Sequence, residues 1–334
     1  MNCSSIMCKK TIDDDSVFCK YCGARQAARN KASSGAPSPL LKVNTAASAA
    51  PNVAKETSSA VRPSQAAPEP TTHAPLFEIP TPPRFDSVPV PEPVQLPTEV
   101  TSPMDFFIYA GTLKIYKGNS DVVVVPPGVT SIGSKVFADH KNLREVYLPE
   151  GVTSISTEAF AGCSALVKVN LPEGITSIGP KAFMDCTALE KILVPRSLHK
   201  ILDKAFQNCA SLKEIYLHDD VTSISYYAFE NCTSLEKIHM PMMLLVLSEG
   251  VFQGCTALKG IELHEGMKNI EHHAFASAGL EYIVLPMSLI NVEEYAFSEM
   301  PALQGITVPK TAKLDNYTFV GTNLINKGTI RYIM

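Results

Sequence analysis

The chain has 334 residues, 45% of them hydrophobic, 7% aromatic and none tryptophan, so any core it builds is aliphatic with phenylalanine as its largest filler. Its formal net charge is −4, and residues 105–334 hold 19 basic against 24 acidic side chains. That balance excludes a surface that wraps nucleic acid, which needs a continuous basic stripe.

Four of the nine cysteines fall before residue 23, in the spacing Cys3-x4-Cys8-x10-Cys19-x2-Cys22-Gly23. Four thiolates in two short knuckles suit one tetrahedral zinc ion, and Gly23 allows the tight backbone that the second knuckle needs. A closed four-sulfur site leaves no open position for a reactive water, so the metal is expected to be structural. Residues 8–24 resemble the small bacterial zinc ribbon. In that family the first pair is spaced by two residues, which would put a cysteine at Ser5, and Cys3 serves here instead. Residues 1–26 form this module. Its lysines and arginines are partly offset by Asp13, Asp14 and Asp15, which disfavours nucleic acid as a partner. No basic and then apolar leader opens the sequence, and no run of ~18 apolar residues occurs. A cytoplasmic protein without a membrane span is expected, with the cell surface as the alternative.

Residues 27–104 change character. They carry 15 of the 25 prolines and, besides Ala, Ser and Thr, two aromatics. Such a composition buries too little apolar area to offset its ordering entropy, so a disordered, partly polyproline tether is expected. Its proline runs, residues 79–83 and 89–94, have the composition of ligands for a peptide-binding domain.

Residues 105–334 return to globular composition. Residues 106–109 and 112–116 flank Ala110-Gly111 and predict a hairpin, and residues 105–125 are taken as the N-terminal cap. A repeat follows. Phe137, Phe160, Phe183, Phe206, Phe229, Phe252 and Phe275 stand 23 residues apart, and Phe297 and Phe319 follow at steps of 22. Cys163, Cys186, Cys209, Cys232 and Cys255 keep the same step, as do columns of Leu and of Val or Ile. A fixed period in this range means a solenoid in which each coil buries its apolar side against the next. Within one coil, Val169 and Leu171 alternate with Lys168 and Asn170, a short strand. Ile175 and Ile178 make a second extended piece. Pro180 then opens a predicted helical turn that points Ala182, Phe183 and Cys186 inward. Eight or nine such strands are expected to form one sheet. The cysteine column is expected to be core packing.

The pattern Leu-Pro-x-Gly-Val/Ile-Thr-Ser-Ile-x-x-x-Ala-Phe-x-x-Cys-x-x-Leu, clear over residues 152–171 and 175–194, resembles the BspA-type leucine-rich repeat. The resemblance spans residues 122–324 and implies an α/β curved solenoid of stacked parallel strands and short helical turns, used for binding or adhesion rather than catalysis. It weakens at residues 240–247, where Thr-Ser-Ile is lost, and after Phe275 and Phe319, where one residue is missing before the leucine.

The exposed strand positions vary from coil to coil, so they are the candidate partner-binding residues: Tyr147, Asn170, Tyr216, His239, Glu262 and Tyr282. Exposed tyrosines suit a protein partner. Charged neighbours such as Glu145 and Lys168 could equally be cross-strand pairs that keep the sheet soluble. No phosphate loop, nucleophile elbow or paired-histidine motif occurs. A monomeric, non-enzymatic scaffold binding a protein or peptide is therefore expected. The alternatives are an adhesin recognising host protein or glycan and a nucleic-acid-associated factor acting through the zinc ribbon.

Overall fold

The computed structural model describes residues 81–82, 84–85, 87–89, 101–325 and 329–334, all within one compact unit. Cys3, Cys8, Cys19 and Cys22, and with them the zinc reading, lie outside the described residues, as does most of the proline-rich segment. The remainder is a stack of parallel strands joined by turns.

The most regular ladder is built by the Ser-Ile pairs. Ser131–Ile132, Ser154–Ile155, Ser177–Ile178, Lys200–Ile201 and Ser223–Ile224 pair in parallel, each residue opposite its counterpart one coil on. Period-2 alternation turns every Ile inward, to 2% exposure or less, while the neighbouring Ser or Lys faces out. Ser131 and Ser154 hydroxyls then hydrogen-bond along the outside at 2.8 Å. The hairpin Phe106–Tyr109 and Thr112–Tyr116 is present and antiparallel, and its second strand pairs with Ser131–Ile132. Ala110 and Gly111 both take positive φ, 48° and 73°, which matches a two-residue turn to the strand twist.

Between Ser223–Ile224 and Val246–Leu247 the ladder breaks, and a second sheet continues through Asn269–Ile270, Asn291–Val292 and Lys313–Leu314. The break falls where the sequence loses Thr-Ser-Ile. In the preceding coil the Ser225 N–H donates to the Ile201 carbonyl at 2.9 Å. At the break the Ile224 carbonyl accepts the Ser248 hydroxyl instead, at 2.7 Å. Met240, Leu244 and Leu247 remain core, whereas Met242, Met243 and Leu245 are exposed.

The expected helical turns are absent: the described residues contain no α-helix. The backbone shows why. Around Phe183, Lys181 and Asp185 adopt left-handed φ of 54° and 61°, which an α-helix cannot include. The N–H groups of Lys181, Phe183 and Asp185 bond to the carbonyls of Asp203, Ala205 and Gln207 in the next coil, at 2.8–2.9 Å. Alternate donors thus point along the stack rather than four residues back, and the donors between them close four-residue turns, as Ala182 does on Gly179 and Met184 on Lys181. The i, i+1, i+4 spacing of Ala182, Phe183 and Cys186 records a run of turns, with Pro180 as a turn residue.

The core is one column. From Phe137 to Phe319 successive rings lie 5.0–5.8 Å apart with interplanar angles of 21° or less, and Phe137 to Phe297 are fully buried. Burying one such ring is worth about 2–3 kcal/mol by area. A single coil lacks the neighbours to bury it, so stability is shared between coils.

Candidate protein-binding face

The second strand column carries the variable residues. It is three ladders rather than the single expected sheet: Val122–Val124 with Glu145–Tyr147 and Lys168–Val169, then Glu214–Tyr216 with Lys237–His239, then Tyr282–Val284 with Gly305–Pro309 and Thr329–Ile333. Polar side chains take over backbone partners at the ends of these ladders. The Leu148 N–H donates to Asn170 Oδ1 at 2.7 Å, and Asn170 Nδ2 donates to the Leu148 carbonyl at 3.0 Å. His218 Nε2 lies 3.1 Å from the Val194 carbonyl and His239 Nδ1 2.7 Å from the Leu217 carbonyl. A carbonyl only accepts, so both ring nitrogens carry protons there.

The six predicted residues separate into three groups. Tyr147 is nearly buried, its hydroxyl donating to Glu145 Oε2 at 2.7 Å with Lys168 Nζ 5.2 Å from the ring centre. The bond to Glu145, reinforced by burial, pushes the Tyr147 phenol up. Asn170 lies on the next coil and is engaged with Leu148 as above. Tyr216 and His239 meet in the middle of the stack, with ring centroids 4.4 Å apart and planes at 15°. His218 approaches the same tyrosine edge-on at 5.2 Å. Glu262 and Tyr282 line a cleft of about 330 Å³ with Leu263, Val284 and Met287. Tyr282 donates its hydroxyl to Gln304 Oε1 at 2.5 Å. The structure therefore gathers Tyr216, His239, Glu262 and Tyr282 on adjoining coils. It sets Tyr147 and Asn170 towards the first coils, in contacts with the fold itself. Thr307, on the same outward column, is 5% exposed rather than open.

Three residues at this face were not singled out by sequence. His218 stands in a column of prolines and reads as a turn residue. Arg84 and Phe85 belong to the proline-rich segment, yet Phe85 packs edge-on against Tyr216, centroids 5.3 Å apart and planes at 88°. Arg84 Nη2 sits 2.9 Å from Glu262 Oε1. Val88 and Pro89 border a pocket with Glu173, Leu193, Val194, Arg196 and His218. The available signal was compositional: Phe85 is one of two aromatics in residues 27–104, and a basic residue precedes it.

Two histidines in the turn column meet neighbours on the following coil. His272 Nδ1 lies 2.6 Å from Glu293 Oε2, and His273 stacks on Tyr295. No group of three or more His, Cys, Asp or Glu among the described residues is arranged to hold a metal ion. No helix among them is long and apolar enough to cross a membrane.

Comparison with known proteins agrees with this architecture. A search of curated proteins found no match. Among solved structures, a leucine rich repeat protein of T. pallidum is 30% identical, with a TM-score of 0.50, covering 54% of this chain and 89% of the other. A leucine-rich repeat protein from Bacteroides ovatus is 26% identical, with a TM-score of 0.53, covering 70% of this chain and 68% of the other. The family model of the BspA type leucine rich repeat region matches residues 115–236 and 222–331. With its repeat matched over more than half its length, the chain belongs to the BspA type leucine rich repeat family.

Proposed function

We propose that the chain is a non-catalytic scaffold whose strand face, centred on Tyr216, His218 and His239, binds a partner protein or peptide. The observation that carries this reading is the half-buried Tyr216–His239 stack on a strand column where side chains differ between coils. Buried columns of Leu, Ile and Phe fix the scaffold, so chemical variety is free only outside. Rigid aromatic groups with little rotamer entropy to lose are good anchors for a partner. The histidine nitrogens facing Val194 and Leu217 hold the fold, and the repeat thiols are buried with raised pKa values, which makes them poor nucleophiles. Both facts favour recognition over catalysis.

The test is capture of binding proteins by the full chain, by its Tyr216→Ala and His239→Ala variants, and by a Tyr317→Ala control. Loss of the captured species with the first two, unchanged circular dichroism and retention by the control are expected. Equal capture by all four proteins contradicts the reading. We also propose that Cys3, Cys8, Cys19 and Cys22 hold one structural zinc ion, on the donor set and spacing alone. Purified protein should then contain one equivalent of zinc, lost on substitution of Cys19 and Cys22 by serine. A metal content unchanged by those substitutions contradicts it.

A further inference from the structure

The strand face already has an occupant. Arg84 meets Glu262, Phe85 meets Tyr216, and Val88 and Pro89 lie in the pocket beside Leu193 and His218. Thr81 and Pro82 border the cleft of Glu262 and Tyr282. Glu262, Tyr216 and Leu193 stand on coils separated by two and then one repeat of 23 residues. From residue 84 to residue 89 the segment therefore descends three coils, against the order in which the coils are built. Coils joined by strand pairing are about 4.8 Å apart, so three span about 14 Å. Five residues of chain can span up to ~17 Å, so Arg84, Phe85, Val88 and Pro89 reach successive coils, with a bend at Ser87, and meet the face through side chains. Its chemistry complements what it covers. A cation sits on Glu262, an aromatic ring on the Tyr216 edge, and a Val-Pro pair among Leu193, Val194 and His218.

We propose that the strand face is a recognition groove for a short, proline-containing peptide of the type Arg-Phe-x-x-Val-Pro, and that Arg84, Phe85, Val88 and Pro89 fill it in cis. The proposal rests on the reading of this face as the binding surface and names the class of partner it takes. Each contact is individually weak. Arg84 and Glu262 are both more than half exposed, so their pairing is strongly screened. Attachment in cis supplies an effective concentration in the millimolar range, which keeps even a weak ligand seated. A partner that carries the same pattern and further contacts displaces the segment, and its apparent affinity is reduced by the fraction of time the groove is filled. Prolines on either side of the anchor restrict the free chain and so lower the ordering entropy of binding.

The experiment uses fluorescein-labelled peptide corresponding to residues 78–92 and fluorescence anisotropy. It is titrated into the full chain, into an opened full-length variant, Arg84→Glu with Phe85→Ala, and into that variant with Tyr216→Ala added. Saturable binding to the opened variant, at least ~10-fold weaker binding to the unaltered chain, and loss on adding Tyr216→Ala are expected. Salt should weaken the interaction through the Arg84–Glu262 pair. Absence of binding to the opened variant, or equal affinity for opened and unaltered chains, overturns the proposal. If the peptide fails while Tyr216→Ala still abolishes partner capture, the cis-ligand inference falls and the face remains the binding surface. If Tyr216→Ala leaves partner capture intact, the reading of the face itself is the one that fails.

Discussion

Each repeat cysteine donates its thiol to the carbonyl of the phenylalanine one coil earlier: Cys209 to Phe183, Cys232 to Phe206 and Cys255 to Phe229, at 3.1–3.2 Å. The Phe183 carbonyl already accepts the Cys186 backbone N–H at 3.2 Å, so the thiol takes up its second lone pair. Cysteine combines apolar bulk with one weak donor, and this contact needs both. Burial pushes the Cys255 thiol from its ordinary value of 9.0 to about 12. The folded state thus holds this proton more tightly than the unfolded chain. The contribution is complete below pH ~9 and declines as pH rises from there through about 12. Urea unfolding of the full chain and of Cys255→Ala should show the stability gap narrowing by about 1 kcal/mol between pH 8 and pH 10. A gap independent of pH would mean the thiol titrates freely in the folded protein. Alkylation at neutral pH followed by peptide mass spectrometry should also leave Cys255 unmodified until denaturant is added.

At the scale of elements, the missing residue after Phe275 shows how strictly the coils are spaced. Gly279 stands where other coils have one residue more, and its N–H bonds to the Cys255 carbonyl at 3.1 Å. A β-carbon there would lie 2.0 Å from the Thr256 carbonyl oxygen, a backbone atom that cannot step aside. Gly279→Ala should therefore destabilise the chain by about 1–3 kcal/mol, measured by chemical denaturation. A change below 0.5 kcal/mol, the usual range for a neutral surface substitution, would show that neighbouring coils separate easily. The same strictness explains what the sequence disclosed. Period alone gave the Phe and Leu columns, because burial allows few substitutes there. Ser-Ile alternation gave the regular ladder. The turns around Phe183 were misread as helical because i, i+1, i+4 spacing is common to helices and to consecutive turns. What separates the two is a left-handed φ at Lys181, and lysine does not advertise one. Asn208, Asn231 and Gly254, at the corresponding position after the ring, were the better hint, since those residue types tolerate that conformation. The division of the variable column into three ladders was not legible either. Between Lys168–Val169 and Glu214–Tyr216 only an isolated bridge from Lys191 to Glu214 remains, while Asn170 and His239 bond back to Leu148 and Leu217 within their own ladders.

For the molecule as a whole, the solenoid divides labour between a dry interior and a wet face. Stacked phenylalanines make neighbouring coils depend on one another, so the face they carry is held by the column beneath it. Tyr216, His239, Glu262 and Tyr282 were legible as candidates because they stand at exposed strand positions that vary from coil to coil. Arg84 and Phe85 were not, because a proline-rich segment offers no periodicity from which a contact could be inferred. The account's central claim is that recognition belongs to the strand face and not to the turns of the Phe column. The most direct measurement places the photocrosslinker p-benzoylphenylalanine at Val284, exposed on the strand face beside Thr81 and Pro82, or, separately, at Tyr317, a half-exposed residue in the turn column, in the opened full-length variant. Peptide 78–92 is added, the samples are irradiated, and adducts are quantified by mass spectrometry. The account predicts abundant peptide adducts from position 284 and background yield from position 317. Equal yields from the two positions, or a higher yield from 317, would contradict it.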